Sequence, residues 1–495
     1  MNKHFRVDYF MLAAGFILCI AAWLRLTDIG EYITFLGDQG RDAIAMKRII
    51  TGEDFPGIGP RSSIGQLYLG PFYYYLMAPF LAASGFDPVG PAIGVAVVTL
   101  LAMGLAAWRI RKDINPFTAL LFLALVTVSY SQLWLSRFSW NPNLLPVFSF
   151  AASYLAYKTA TSRHPVAAGL LGFSIAAALQ LHYLMLLALP AIAGVVLWGA
   201  FRERNSKNGL RIYLRNIIIA AATFTLTFAP FIVFDLRNNF LNFRGLIGIF
   251  TESQFQSEST YLERLISVLN GFLTHVLQIE VAGAAGWLLF VFLLASVAGT
   301  LVRRIKVSPV ITIHVITILS FIFMFALIDT SRFMHYYTPV YWSLFLLVAY
   351  WVSRIPFRQV AVVAAVVILC GYTFLNMQKY DHTRGPGNFQ TRIAESIADD
   401  ILSLGIEEPY YLISVPLSHT NDHIRYYLEL KGKQPLPSES TDPARNIVFL
   451  CYEKGENACN VTEDNQYQAV IFGDKKITGI VDNPEVKIFK VVHAR

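Results

Sequence analysis

The chain has 495 residues, of which 55% are hydrophobic, 14% aromatic and only 15% charged. A soluble globular protein carries about 25% charged residues, and here the deficit is concentrated in long apolar runs, so the composition excludes a soluble enzyme, a disordered scaffold and an outer-membrane barrel in favour of helical spans. The formal charge of +7 comes from Lys and Arg in short clusters between those runs, a placement that reports membrane topology rather than a nucleic-acid partner.

The first apolar run, Tyr9 to Leu24, follows Lys3 and Arg6 but ends in Trp23-Leu24-Arg25 without a small-residue cleavage site, so it reads as a retained span with a cytoplasmic N-terminus. Further spans are expected at roughly 88 to 108, 116 to 134, 143 to 158, 166 to 181, 183 to 201, 213 to 234, 284 to 302, 309 to 328, 335 to 352 and 359 to 377. The stretch Leu69 to Ala83 is short for a crossing and carries Tyr73-Tyr74-Tyr75 and two prolines. If it stays on one face, the basic clusters Arg109-Ile110-Arg111-Lys112, Lys158 with Arg163, Arg202 to Arg215, Arg303-Arg304-Ile305-Lys306, and Arg354 with Arg358 all fall on the cytoplasmic side. It is therefore placed as a re-entrant or interfacial helix on the outer face. The fold class expected is an α-helical polytopic membrane protein of about eleven transmembrane helices with a small C-terminal soluble α/β domain.

This topology exposes outer loops at about 26 to 87 and 235 to 283 and divides the chain into a membrane part, 1–377, and an extracytoplasmic tail, 378–495. In the tail, Ile393, Ile397, Ile401 and Leu404 mark a helix over Gln390 to Leu404, while Tyr410 to Val415, Ile447 to Tyr452, Ala469 to Phe472 and Val486 to Val492 read as strands. Cys19 and Cys370 lie within spans as packing residues; Cys451 and Cys459 are either a disulfide on an oxidising face or free thiols.

The first outer loop holds Gly37-Asp38-Gln39-Gly40-Arg41-Asp42, after which Ala43, Met46, Ile49 and Ile50 form an apolar stripe that Gly52 ends. Such a pattern suits an amphipathic helix lying in the membrane interface, with Asp38 as N-cap and Asp42 one turn later on the same face. A cap and a favourable dipole contact would account for both carboxylates; catalysis is the other reading. Likewise Arg137 suits an interface anchor, His182 a turn, Asn141 before Pro142 a helix-start cap, and Arg332 with Asp329 a structural pair.

An acidic residue shortly after the first span, an interfacial helix, and then Tyr68-Leu69-Gly70-Pro71-Phe72-Tyr73-Tyr74-Tyr75-Leu76 together resemble the GT-C superfamily of membrane glycosyltransferases. Ser136-Arg137-Phe138 followed by Trp140-Asn141-Pro142, and the later Arg332-Phe333-Met334-His335-Tyr336-Tyr337-Thr338-Pro339, resemble stretches of its bacterial protein mannosyltransferase and lipid A aminoarabinose transferase branch. The resemblance covers roughly residues 8 to 377 and none of the tail. It implies a multi-pass protein of the bacterial inner membrane that moves a sugar from a polyprenyl-phosphate carrier to a hydroxyl of a lipid, glycan or protein acceptor on the outer face, with inversion. By that likeness Asp38 is the general base and Asp42 supports it. Arg332 and His335 meet the leaving phosphate with Tyr336 and Tyr337 as hydroxyl donors, and Arg41, Tyr68, Arg137, Asn141 and His182 complete the substrate site. Position 141 is Asn where relatives usually carry Asp, so these loops do not assemble a two-carboxylate metal site, and the expectation is that no cofactor or metal is required, with a divalent metal as the alternative. Arg41 beside Asp38 opposes the rise in basicity that burial would give it. A transporter or flippase of a lipid-linked sugar is the alternative, but transporters concentrate repeats and charges at mid-membrane, whereas this acidic pair lies in an outer loop.

Overall fold

The computed structural model describes residues 8–62, 67–161, 164–251, 259–280, 285–301, 308–452 and 459–494. The chain opens with the helix Tyr9–Leu26, started by Asp8, whose carboxylate accepts from the Phe10 backbone N–H at 3.1 Å. Five helical stretches, Tyr9–Leu26, Val89–Asp113, Tyr183–Glu203, Lys207–Arg237 and Arg358–Met377, are long and apolar enough to cross a membrane. Between them lie shorter apolar helices of 13 to 17 residues: Pro116–Val128, Leu145–Thr161, Pro165–Leu181, Trp287–Leu301, Pro309–Phe325 and Tyr341–Ser353.

Several helices are shortened at the same end of the bundle. The span expected over 116 to 134 breaks at Ser129, and the one expected from 335 begins only at Tyr341 after a 3-10 turn, Met334–Tyr337. Side chains take up the backbone groups released there, as hydrocarbon demands: Asn376 Oδ1 accepts from Tyr130 N at 2.7 Å, and Tyr372 donates to the Val276 carbonyl at 2.8 Å. Arg25, fully buried and without a carboxylate partner among the described residues, donates to the carbonyls of Ala21, Val126 and Thr127.

The opposite end carries Arg109, Arg111, Lys112 and Lys158. Lys158 pairs with Asp113 at 2.7 Å and Arg111 with Asp8 at 2.7 Å, beside the Thr118 to Ser353 hydrogen bond. Arg163 and the cluster Arg303-Arg304-Ile305-Lys306 lie outside the described residues. Gly30 lies against Val89, so the chain leaves the bundle after Leu26 and re-enters at Val89 from the same end. Phe72–Ala83, a 12-residue helix with Pro79 inside it, therefore does not make a net crossing.

The helix Gly37–Thr51 forms with the expected stripe, and Gly52 closes it at φ 76°, a left-handed conformation that favours glycine. Two details differ from the sequence expectation. Leu36 is the N-cap and Asp38 sits inside the first turn, because the Gln39 side chain reaches back to the Leu36 N–H at 3.1 Å. Nor does the stripe face lipid: Ala43 and Met46 share a core with Tyr73 and Met77 on one side and with Ile397, Ile424 and Leu428 of the tail on the other. A Cβ on Gly40 would run into the backbone of Asp422 and His423, so the missing side chain is what lets the tail close on this helix.

The tail holds a four-stranded sheet of order β1-β2-β4-β3. Strand β1 (Tyr410–Val415) is parallel to β2 (Asn446–Cys451), which pairs antiparallel with β4 (Lys487–His493), itself antiparallel to β3 (Lys475–Asp482). Gln390–Ser403 and Asp422–Leu430 cover one face, and Tyr467–Phe472 lies on the other. The run Ala469 to Phe472, expected as a strand, is thus helical, with Ala469 and Phe472 turned into the core. Cys451 and Cys459 are joined by a disulfide.

Because, among the described residues, the basic clusters lie at the end of the bundle opposite the shortened one, the tail that packs at the shortened end is expected on the outer side. A cysteine introduced at Ser440 should react with a membrane-impermeant reagent in intact spheroplasts. Reaction only after lysis would reverse the topology.

Candidate functional site

At the shortened end of the bundle lies a cavity of about 520 Å³. Its wall is largely aliphatic and aromatic, including Leu184, Leu187, Leu246, Met324, Phe325 and Ile328. Polar groups converge on it from separate segments: Asp38 and Arg41 from the loop helix, Arg61 from the segment between Thr51 and Phe72, Asn141 and His182 from two turns, and His335 and Tyr336 from the 3-10 turn. An apolar chamber with a few convergent polar groups is the usual form of a ligand site.

Arg41 organises the acidic side. Its Nη1 donates to Asp38 at 2.8 Å, while Nη2 and Nε donate to Asp42 at 2.8 and 3.0 Å. The carboxylates differ sharply in exposure, 50% for the Asp38 side chain and 1% for that of Asp42. Burial raises the Asp42 carboxyl to about 6 against the pull of Arg41, and the Tyr74 hydroxyl stands beside the pair. Asp38 faces the cavity and Asp42 anchors the arginine behind it.

On the far side, Trp140, His182, His335 and Tyr336 form one aromatic cluster, with ring centroids 4.7 Å apart for Trp140 and His335 and 6.0 Å for the two imidazoles. His182 Nδ1 accepts from the Leu184 N–H at 3.2 Å, which assigns the proton of the neutral ring to Nε2. Burial lowers His182 to about 4, so it is neutral at pH 7. Asn141 is fixed by donating to the Leu181 carbonyl at 2.7 Å.

Other residues singled out from the sequence stand elsewhere. Tyr68 serves through its backbone: its N–H donates to Asn242 Oδ1 at 2.6 Å and its carbonyl accepts from the Tyr183 hydroxyl. Arg137 donates to the Leu24 and Thr27 carbonyls at 2.7 and 2.8 Å and lines a separate 250 Å³ cavity with Tyr380 and His382. Tyr337 is buried and donates to the Val268 carbonyl at 3.2 Å. Arg332 donates to the Ile328 carbonyl at 2.9 Å and lies 4.2 Å from the centre of the Phe325 ring, behind the cavity wall rather than in it. Arg61, which the sequence analysis passed over, does line the cavity. Arg61 rides on an arm made by the Leu69 N–H to Pro60 carbonyl bond of 2.8 Å and the Ser62 N–H to Leu67 carbonyl bond of 2.7 Å. Its only sequence signal is a basic residue in a Gly/Pro-rich segment on the face that the basic clusters avoid.

Among the described residues no three His, Cys, Asp or Glu side chains gather as metal ligands. The donor set matches a divalent cation poorly, since a guanidinium already balances Asp38 and Asp42 and position 141 offers an amide. The raised Asp42 carboxyl has a direct readout. In infrared difference spectra a protonated-carboxyl band should disappear as pH rises through about 6 and be missing in Asp42→Asn. A band that titrates in the ordinary carboxylate range would contradict the buried geometry.

No protein-family model and no curated protein matches the chain. Among solved structures it is similar to ArnT from Cupriavidus metallidurans bound to undecaprenyl phosphate, with a TM-score of 0.53 at 14% identity over 98% of this chain and 97% of that one. The apo oligosaccharyltransferase of Archaeoglobus fulgidus gives a TM-score of 0.51 at 14% identity over 90% and 70%. The same enzyme in complex with Zn and sulfate gives 0.50 at 14% identity over 88% and 68%. The chain shares the fold of these membrane proteins.

Proposed function

We propose that this protein transfers a sugar from a polyprenyl-phosphate carrier to an acceptor hydroxyl at the outer face of the membrane, with Asp38 as general base. The observation that carries this is the pairing, in one cavity, of an apolar wall suited to an isoprenoid with a half-exposed carboxylate at its polar end. The shared fold with ArnT bound to undecaprenyl phosphate supports it.

The chemistry follows from the placement of charge. The acceptor oxygen forms a bond to the anomeric carbon as Asp38 takes its proton, and the bond from that carbon to the phosphate oxygen breaks on the opposite side, inverting the centre. The lipid phosphate leaves with the electron pair. Arg41 engages only one oxygen of Asp38 and is itself held by Asp42, so the other oxygen is left for the acceptor. Arg61 supplies positive charge to the leaving phosphate, and His182 and His335 supply ring N–H donors, which are worth most in a site closed to water. Neither step is routed through a metal.

Asp38→Asn keeps the size and most of the local hydrogen bonding but removes the basic charge. It should fold, bind donor and turn over roughly 100-fold more slowly or worse, as general-base removal does; near-normal transfer would discard the mechanism. For the phosphate, Arg61→Ala should weaken donor binding by about 1.5 to 3 kcal/mol, the scale of a lost hydrogen bond to a charged group, and Arg332→Ala by less. The reverse ranking in a donor-binding titration would return the phosphate to Arg332.

A further inference from the structure

Beyond the main cavity, two smaller ones follow one another along the tail. A 240 Å³ cavity shares Arg41 with the main one and runs between the loop helix and the helix Asp422–Leu430, past Arg48, Glu429 and Gln434. It shares Asp422, Arg425, Pro437 and Ser438 with a third cavity of 170 Å³, lined further by Ser414, Asn421, Gln466 and Gln468. The third lies beyond the carboxyl end of β1, where the connection to Asp422–Leu430 leaves on one face of the sheet and Tyr467–Phe472 packs on the other. Crevices at such a switch point are where open α/β sheets bind ligands.

We infer that this groove holds the acceptor of the proposed transfer as a neutral, hydroxyl-rich glycan, presented along the tail toward Asp38. The inference rests on the proposed reaction for its direction but on the tail's own residues for its chemistry.

The lining changes character along the path. The main cavity is walled by aliphatic and aromatic side chains, whereas the groove presents hydroxyls and carboxamides, the groups that pair with sugar hydroxyls. Its guanidinium groups are hydrogen-bonded within the protein, and the Asp422 carboxyl stands near Arg425. Arg48 and Glu429 are paired at 2.9 Å, and the buried Arg425 donates to Asn421 Oδ1 at 2.6 Å and to the Leu436 and Leu412 carbonyls at 2.7 and 2.9 Å. A phosphate would find Arg48 already paired and Arg425 already donating to oxygens, and a lipid tail would meet hydroxyls, carboxamides and the Asp422 carboxyl among the apolar side chains.

An extended peptide is disfavoured as well. It would add to the free edge of β1, but that edge is occupied: the Tyr410 carbonyl accepts from Leu436 N at 2.9 Å, Leu412 from Arg425, and Ser414 from Gln466 Nε2 at 2.9 Å. Meanwhile Gly37 and Gly40 hold the segment Thr420 to His423 hard against the helix that carries Asp38, which fixes the groove relative to the base.

The test uses the full-length protein in detergent, applied to an array of neutral oligosaccharides and a matched array of unmodified peptides. Ser438 is exposed and borders both small cavities, so Ser438→Trp should obstruct the groove without touching the core. Oligosaccharides should be retained by the wild type and by Asp38→Asn alike, and about tenfold less tightly by Ser438→Trp, a change near 1.4 kcal/mol. Gln468→Ala should weaken retention in the same direction. Peptide retention without glycan retention, no retention by the wild type, or equal retention by Ser438→Trp would each overturn the inference. Since binding is read without turnover, loss of transfer in Asp38→Asn and loss of glycan in Ser438→Trp report separately.

Discussion

A helix bundle in hydrocarbon cannot leave backbone polar groups unpaired, and this protein meets that constraint very differently at its two ends. At the basic end the helices finish in ordinary charged caps and ion pairs such as Lys158 with Asp113. At the other end they break early into 3-10 and π turns, and side chains buried among them complete the hydrogen bonding: Arg25, Arg137, Asn141, Asn376 and Gln278 all donate to main-chain carbonyls. Irregular backbone at membrane depth survives only where it is enclosed by protein or lines a cavity. The chamber is therefore the place where regular helix was given up.

Within it, Arg41 sets the electrostatics. A guanidinium shared between a buried and a half-exposed carboxylate does two things at once. It compensates Asp42, whose ionised form burial would otherwise disfavour, and it is drawn partly away from Asp38. Without Asp42, Arg41 would have Asp38 as its one carboxylate partner among the described residues. Packing enforces the arrangement, because Gly37 and Gly40 let the tail lie directly on the helix that bears all three charged residues.

The spans and the returning segment Phe72–Ala83 were legible because hydropathy and the distribution of Lys and Arg act on whole segments. So was the helix ended by Gly52, whose stop depends on one local conformation. The failures are instructive in their causes. Ala469 to Phe472 is too short an apolar run for its period to separate helix from strand. β3 was missed because it lies at an edge with mostly exposed residues, and Asp422–Leu430 because its apolar face is answered by a helix hundreds of residues away. At the site, Asp38, Arg41, Asn141, His182, His335 and Tyr336 share the cavity, whereas Arg137, Arg332 and Tyr337 turn toward main-chain carbonyls, a choice made by three-dimensional packing that no motif records. Arg61 was invisible for the converse reason: an arm between the strand-like pieces around Pro60 and Leu69 carries it to the cavity.

The central claim is that one cavity holds a polyprenyl-phosphate sugar with its reacting carbon before Asp38. A structure of the protein with a non-transferable polyprenyl-phosphate sugar analogue tests it most directly. The account predicts isoprenoid density along Leu184, Leu187, Met324 and Phe325, the phosphate near Arg61 and His335, and the sugar between them and the free oxygen of Asp38. Density for the lipid in another crevice, with Asp38 still facing solvent and Arg41 alone, would contradict it.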